Sequence, residues 1–353
     1  MPQTYRTLVC RSLSNDLSGL AIESRPMPVP GPGEALVRMR AAAVNFPDVL
    51  MTQGLYQFKP ALPFVPGIEG AGEIVALGSA APTDEGRDGA KPDDPEPGPD
   101  AAWQAVIGDR VLVHARIGAF AQYVRLPLEE LRPIPGAFDF AQAAAFQAAA
   151  GTAYVSLVRR AALQSGETLL VHGATGGVGM ATVQLGKHLG ARVIATGTSA
   201  DKLARLRALE GIETIDLREG LRERVLTLTD GRGADVIFDP VGGDVFDASV
   251  RCIAWGGRLL IVGFASGRIP SVAMNMPLIK GFSIVGVRAG EYGRRDPVRG
   301  AQNLREIDRL AREGVFRPHI SARFPLERSI DALREIVERR VLGRVVIEMP
   351  ATD

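Results

Sequence analysis

The chain has 353 residues, enough for two domains and a sizeable core, and its 46% apolar and 23% charged residues are ordinary for a globular protein. A net charge of +1 gives no electrostatic case for nucleic acid or an anionic membrane. No apolar run approaches the ~18 residues of a membrane span, and the N-terminus lacks a signal-peptide core, so a cytoplasmic protein with Cys10 and Cys252 as reduced thiols is expected.

In chain order, the first third is rich in short strand-like runs punctuated by Pro and Gly: Ala35–Ala43, Gly72–Leu77, Arg110–His114 and Ala121–Leu126. They predict a β-rich unit. Between them, residues 80–102 are dense in Pro, Gly and acids and poor in large apolar groups, a composition that predicts a disordered surface insertion. From about Pro133 helical and strand patterns alternate. Helices are predicted at Ala141–Ala149 and Thr152–Ala162, then a strand at Thr168–His172, a helix at Val178–Leu189 and a strand at Arg192–Thr196. The alternation continues with helix Ala200–Leu209, strand Thr214–Asp216, helix Leu221–Thr227, strand Val236–Asp239, helix Val245–Ile253 and strand Arg258–Val262. Phe282–Val287 and helix Gln302–Glu313 extend it, and the tail reads as helix Leu326–Arg339 followed by strand Val345–Met349. Such alternation predicts a parallel sheet with helices on both faces.

The most informative stretch is Glu167–Leu189. A buried strand runs into a glycine-dense turn, Gly173–Gly179, and then into a helix N-terminus, the arrangement that receives a pyrophosphate. In the register G-x-G-x-x-G, Ala174 takes the first position, tolerable if its φ stays negative, and Gly176 and Gly179 take the others. Gly176 lets backbone N–H groups approach the phosphates, and Gly179 lets the helix pack on the strand. Gly177 and Val178 open the helix between them. The acid that grips the 2′-hydroxyl of NAD is due about 20 residues further on. Gly197 stands there, followed by Ser199 and Lys202, so small and basic groups meet a 2′-phosphate.

Taken together, AAAVNFPDVLMTQGLY (41–56), LPFVPGIEGAGEIVALG (62–78), GDRV (108–111), GAFAQY (118–123), AAGTAY (149–154), VHGATGGVG (171–179) and GGRLLIVG (256–263) appear in order along nearly the whole chain. By these motifs the chain resembles the zinc-free quinone oxidoreductase, zeta-crystallin-like branch of the medium-chain dehydrogenase/reductase superfamily. The resemblance implies an α/β fold in which a doubly wound parallel Rossmann sheet (131–315) is joined to a GroES-like β-rich catalytic domain (1–130 and 316–353), with the active site between them. It implies NADPH as cofactor, with Lys202 and Arg339 on the 2′-phosphate, Thr152 on the nicotinamide side, and Gly263 and Phe264 at the carboxyl edge of the sheet. The tyrosine of the family after the third Rossmann strand is Leu217 here, beside Arg218. The positions that hold a catalytic zinc in alcohol dehydrogenases are Asn45 and Ile68, and isoleucine cannot ligate a metal, so no metal is expected. Tyr56 is the expected hydrogen-bond or proton donor, since a phenol stays protonated at neutral pH. Asn45 and Asp48 lie near the same cleft by this analogy, and His114 and Arg116 are polar residues of a pocket-side strand with no role assigned.

The expected activity is NADPH-dependent reduction of quinones or α,β-unsaturated carbonyls. A 2-enoyl-CoA reductase, with the basic loop Arg288–Arg299 meeting CoA, is the alternative, and an NADPH-binding structural protein without turnover is another. The resemblance also implies a homodimer, for which the apolar stretch Leu259–Phe264 is the expected interface.

Overall fold

The structure is a computed structural model and describes residues 2–78 and 103–349. The expected insertion at 80–102 lies outside the described residues. The chain opens with a hairpin of β1 (Thr4–Cys10) and β2 (Leu20–Pro26), then β3 (Glu34–Ala43), a short helix α1 (Phe46–Thr52), β4 (Glu69–Leu77), β5 (Arg110–His114), β6 (Tyr123–Pro127) and β7 (Leu131–Pro133). Two short helices follow, α2 (Phe140–Ala144) and α3 (Gln147–Tyr154).

The alternating part contains β8 (Thr168–Val171), α4 (Gly177–His188), β9 (Arg192–Gly197), α5 (Ala200–Glu210), β10 (Glu213–Asp216), α6 (Leu221–Leu228), β11 (Ala234–Asp239), α7 (Gly243–Cys252), β12 (Ile253–Ile261), α8 (Asn275–Lys280) and β13 (Ser283–Gly286). Helices α9 (Ala289–Arg295) and α10 (Pro297–Arg312) then lead to β14 (Ile320–Pro325), α11 (Ser329–Val337) and β15 (Arg344–Glu348).

The strands form two main sheets. Six parallel strands run in the order β10-β9-β8-β11-β12-β13, the doubly wound arrangement expected. Strand order reverses at β8, so the crevice at its carboxyl end, where the glycine turn begins, is the ligand position of such sheets. The second sheet runs β14-β15-β3-β4-β5-β7, with β6 also paired to β3. Its last-formed strand, β15, pairs antiparallel with β3, so the C-terminal segment completes a sheet begun by the N-terminal one.

Each sheet has its own core. Leu8, Val37, Met39, Phe64, Phe120 and Val345 belong to one, and Phe146, Val171, Leu185, Phe238 and Phe316 to another. Cys10 and Cys252 are buried in different cores, so both stay as free thiols. Among the described residues no helix is long and apolar enough to cross a membrane.

Local differences from the sequence expectation are physical. The helix expected from Thr152 begins at Gln147 and continues after Tyr154 as a π-helical turn, Val155–Arg160. Thr152 is therefore inside a helix, and its hydroxyl donates back to the Ala148 carbonyl at 2.8 Å. The last helix ends at Val337, so Arg339 lies beyond it with φ +55°, not within it. Leu259 and Leu260 are fully buried, which removes them from any subunit interface. The exposed apolar side chains lie nearby instead, at Trp255, Ile269, Met274, Leu278, Ile279 and Ile284, beside the unpaired edge of β13.

Candidate active site

The glycine turn has the shape its sequence predicts. Gly173 takes φ +58°, and the turn closes with the Gly176 N–H donating to the Gly173 carbonyl at 3.0 Å. Ala174 is buried and keeps a negative φ, its N–H bonded to the Thr196 carbonyl at 3.2 Å. Gly176 is the N-cap of α4, so Gly177, Val178 and Gly179 form the first helical turn, whose N–H groups have no intrahelical partner. A Cβ on Gly179 would stand 2.3 Å from the Gly173 carbonyl oxygen and 2.6 Å from the Ala174 Cα. Only glycine lets the helix start this close to the turn. His172 anchors the strand end below. Its ring bridges the Thr196 and Ser249 hydroxyls at 2.8 and 2.7 Å, and burial lowers its pKa to about 4, so it is a neutral core residue rather than a reactive one.

At the far end of the crevice, β9 closes on Gly197, and Ser199 caps α5 by accepting the Lys202 N–H. The Lys202 ammonium reaches the Arg339 carbonyl at 2.6 Å, and the Arg339 guanidinium reaches the Ala265 carbonyl at 2.9 Å. Two residues 137 positions apart in sequence, Lys202 and Arg339, are thus neighbours, joined to the segment that carries Gly263 and Phe264. Burial lowers the pKa of Lys202. Arg218 is held by Asp216 through contacts of 2.9, 3.1 and 2.5 Å, and this pairing brings the Asp216 carboxyl down to about 2. Lys202 and Arg339, by contrast, contact backbone carbonyls.

A dinucleotide fits this cradle. The first turn of α4 offers N–H groups for a pyrophosphate, the absence of a side chain at Gly176 leaves the approach to them open, and Lys202 with Arg339 bring positive charge beside the end of β9.

On the catalytic side, the structure places Asn45 and Asp48 in a buried polar cluster. Asn45 caps the start of α1. Its Nδ2 donates to Glu69 at 2.9 Å and to the Ala43 carbonyl at 3.2 Å, and its Oδ1 accepts from Arg344 at 2.9 Å. These bonds occupy the side chain. Asp48 is fully buried and accepts the backbone N–H groups of Asn45 at 2.8 Å and Gly67 at 3.2 Å. Burial, with the Glu69 charge nearby, raises its pKa to about 7. Both side chains therefore hold the loop between α1 and β4 in place.

The centre of this cluster is a pair that sequence reading did not single out. The buried Glu69 carboxylate is bonded to the Arg344 guanidinium and accepts the Ala148 N–H at the start of α3 at 2.7 Å. Arg344 also packs on the turn, where a Cβ on Gly177 would collide with its Cδ. Next to it the Gly343 N–H donates to the Thr175 carbonyl at 2.7 Å. One ion pair thus ties β4, β15, the start of α3 and the glycine turn together. The available signal was a charge in each of two otherwise apolar strand runs, GIEGAG and LGRVVI.

Tyr56 is half-buried on the loop after α1 and packs with Phe58 and Ile68 against the core of the catalytic sheet. Arg116 lies over the Phe58 ring at 5.3 Å. Among the described residues no group of three or more His, Cys, Asp or Glu side chains is arranged to hold a metal ion.

Comparison with known proteins agrees with this geometry. Residues 31–136 match the alcohol dehydrogenase GroES-like domain, and residues 177–304 match the zinc-binding dehydrogenase family. A quinone oxidoreductase-like protein 2 homolog of Nematostella vectensis is 36% identical over 98% of this chain and 89% of its own. A quinone oxidoreductase of Pseudomonas aeruginosa is 34% identical over 90% of this chain and 92% of its own. A mycobacterial protein solved in complex with NADPH superposes with a TM-score of 0.82 at 27% identity, covering 97% of this chain and 99% of that one.

Proposed function

The chain belongs to the quinone oxidoreductase branch of the medium-chain dehydrogenase/reductase superfamily, and from that membership we propose that it is an NADPH-dependent, metal-free reductase of quinones or α,β-unsaturated carbonyls. The observation that carries the NADPH preference is the meeting of Lys202 and Arg339 beside a strand end, Gly197, that bears no carboxylate. A carboxylate there would repel a 2′-phosphate, whereas two cations attract it.

NADPH, when bound, supplies the hydride. The protein's own residues do the rest. The first turn of α4 binds the pyrophosphate, and Thr152 on α3 lies on the nicotinamide side. Asn45, Asp48 and Glu69 position the loop that carries Tyr56. The Tyr56 hydroxyl donates a hydrogen bond to the substrate oxygen as negative charge builds there, a contribution of about 10²–10³ in rate for such a donor. Ile68 at the second zinc position cannot polarise that oxygen, so the acceptor must already be electron-poor.

The test is stopped-flow oxidation of NADPH and NADH against a panel of quinones, enones and enoyl-CoA thioesters. Turnover is expected with quinones or simple enones and a kcat/KM for NADPH at least tenfold above that for NADH. Lys202→Ala should lower the NADPH value on the order of tenfold, the worth of one charge-assisted contact, and leave NADH unchanged. Equal efficiency with both nucleotides, unaffected by the substitution, would reject the NADPH preference. Faster turnover of enoyl-CoA thioesters than of quinones would replace the acceptor class.

We also propose a homodimer through the β13 edge, because that strand ends its sheet and apolar side chains crowd beside it, with Leu278 79% and Trp255 79% exposed. Light scattering after size exclusion should give twice the chain mass, and Leu278→Asp with Trp255→Ser should return a monomer. A wild-type monomer at micromolar concentration would reject the pairing.

A further inference from the structure

A second crevice opens along α4, toward the end of the helix away from the glycine turn. It lies between the C-terminal half of α4, the end of α5 and the segment 314–319 that leads from α10 to β14, and it encloses about 480 Å³. That volume falls within the roughly 300–1,000 Å³ of small-molecule sites. One side chain ties its walls together. Gln184 accepts the Arg317 N–H at 3.1 Å and donates to the Arg317 carbonyl at 3.2 Å and to the Glu210 carboxylate at 2.8 Å. Lys187 donates to the Glu210 carbonyl and to the other carboxylate oxygen at 3.4 Å. Both Glu210 oxygens therefore already accept, and the walls are held by the protein's own bonds.

The lining is cationic and apolar together. Lys187 and Arg317 are permanent cations against the one carboxylate of Glu210, so the lining stays net positive with His188 and His319 neutral. Arg317 Nε donates to the Gly314 carbonyl at 2.8 Å, a neutral partner that fixes the guanidinium without cancelling its charge. Met180, Leu209, Val315 and Pro318 supply the apolar part, and Leu209 is 53% exposed. His319 also lines a narrower cavity that runs on to Gly177 and Arg344. Its Nε2 is buried and has no hydrogen-bond partner among the described residues, a costly state that a ligand would relieve. Burial, with the Arg205 charge on α5, lowers the His319 pKa, so the ring is neutral and carries one N–H.

We propose that this crevice binds a small organic carboxylate with an apolar body, at a site separate from the nucleotide crevice. The carboxylate pairs with Arg317 and Lys187, His319 meets a polar atom of the ligand through Nε2, and the apolar body covers Leu209, Val315 and Pro318. A neutral apolar molecule would cover the two cations without pairing them, which is unfavourable. A phosphate dianion would over-neutralise the lining and leave its apolar part uncovered. An apolar monoanion answers both. The position in the fold gives such a ligand leverage. Segment 314–319 joins α10 to the catalytic sheet, and the His319 carbonyl accepts the Arg344 N–H at 2.8 Å. A ligand between α4 and this segment therefore joins the nucleotide-binding sheet to the catalytic one. The assignment goes beyond the reductase reading and does not rest on it.

The experiment titrates the whole chain with 2-naphthoate in a calorimeter, with and without saturating NADPH. One equivalent should bind in both cases with a Kd below about 1 mM, as expected for a ligand of this size. 2-Naphthalenemethanol, which has the same body and no charge, should bind at least about tenfold more weakly. Arg317→Gln keeps the backbone contacts to Gln184 and should weaken 2-naphthoate on the order of tenfold, as should Lys187→Gln at the exposed end of α4. In NMR spectra the ring signals of His188 and His319 should shift during the titration, and those of His114 and His172 should stay in place. Equal affinity for the alcohol overturns the proposal, and so does an apparent Kd that rises in proportion to NADPH, because the carboxylate then occupies the nucleotide crevice. Absence of binding at millimolar 2-naphthoate, or two folded variants that bind as wild type does, also overturns it. Should one variant not fold, the other and the histidine signals decide, and unmoved His188 and His319 signals overturn the assignment.

Discussion

Glu69→Gln is expected to lower the free energy of unfolding by about 3–5 kcal/mol, the cost of breaking a buried ion pair by removing one partner. The substitution keeps the shape of the side chain and removes its charge. Arg344, 5% exposed, would be left as a buried cation whose remaining partner is the neutral Asn45 amide. One of the two carboxylate oxygens would become an amide nitrogen. It would then face either the Arg344 and Asn45 donors or the Ala148 N–H, a donor against a donor in each case. Denaturant unfolding should show a lower midpoint at an unchanged slope. An unchanged midpoint would mean that Arg344 finds other partners at no cost and that the cluster does not hold the two sheets together.

The same variant should change how stability depends on pH. In wild type the folded Asp48 holds its proton to about pH 7, whereas the unfolded chain releases it near 4. Between those values the unfolded state binds fewer protons at this site, so the Asp48 contribution to stability is full below pH 4 and is lost as pH rises toward 7. The Glu69 charge is one cause of the raised value. Without it the decline should occupy a narrower and more acidic window.

The parts of the molecule legible in the sequence are those fixed by neighbours in the chain. The turn at 173–179 could be read because each glycine answers a backbone contact within a few residues: Gly173 a positive φ, Gly179 a carbonyl six residues back. The parallel sheet could be read because its central strands are apolar runs set between helices of the right length, although its edge strand β10, ETID, holds a single apolar residue. Elements held by distant partners were not legible. β1 carries only a weak pattern, TYRTLVC, and owes its burial to pairing with β2 and to bonds from Leu8 and Cys10 to Phe120 and Phe64. Helix α9, AGEYGRR, has no fully buried residue and is seated by Ala289 and Tyr292, which pack against the core that holds Phe146 and Ile307. Glu69 and Arg344 are 275 residues apart, and no local rule connects them. Arg339 was named for the 2′-phosphate by resemblance, but its left-handed backbone and its carbonyl contact to Lys202 come only from the fold.

Gly179→Ala and Gly176→Ala should separate folding from cofactor binding within one turn. At Gly179 the added Cβ would meet backbone on both sides, the Gly173 carbonyl oxygen at 2.3 Å and the Ala174 Cα at 2.6 Å. Neither is the end of a flexible side chain, so α4 must move off β8 or the turn must open. Overpacking of this kind costs about 1–3 kcal/mol, and the displaced N–H groups would no longer converge on a phosphate. The variant should unfold at lower temperature and bind NADPH more than about tenfold more weakly, a loss above 1.4 kcal/mol. At Gly176 the added Cβ meets only the Gly173 oxygen, at 3.4 Å, and the residue has an extended backbone that alanine adopts freely. Gly176→Ala should therefore keep the wild-type melting temperature without ligand. It should still weaken NADPH, because the methyl group would occupy the space through which the pyrophosphate approaches the helix N-terminus. If Gly176→Ala binds NADPH as wild type does, the phosphates do not pass over that residue. If Gly179→Ala melts as wild type does, the close helix–turn contact is not what sets this geometry.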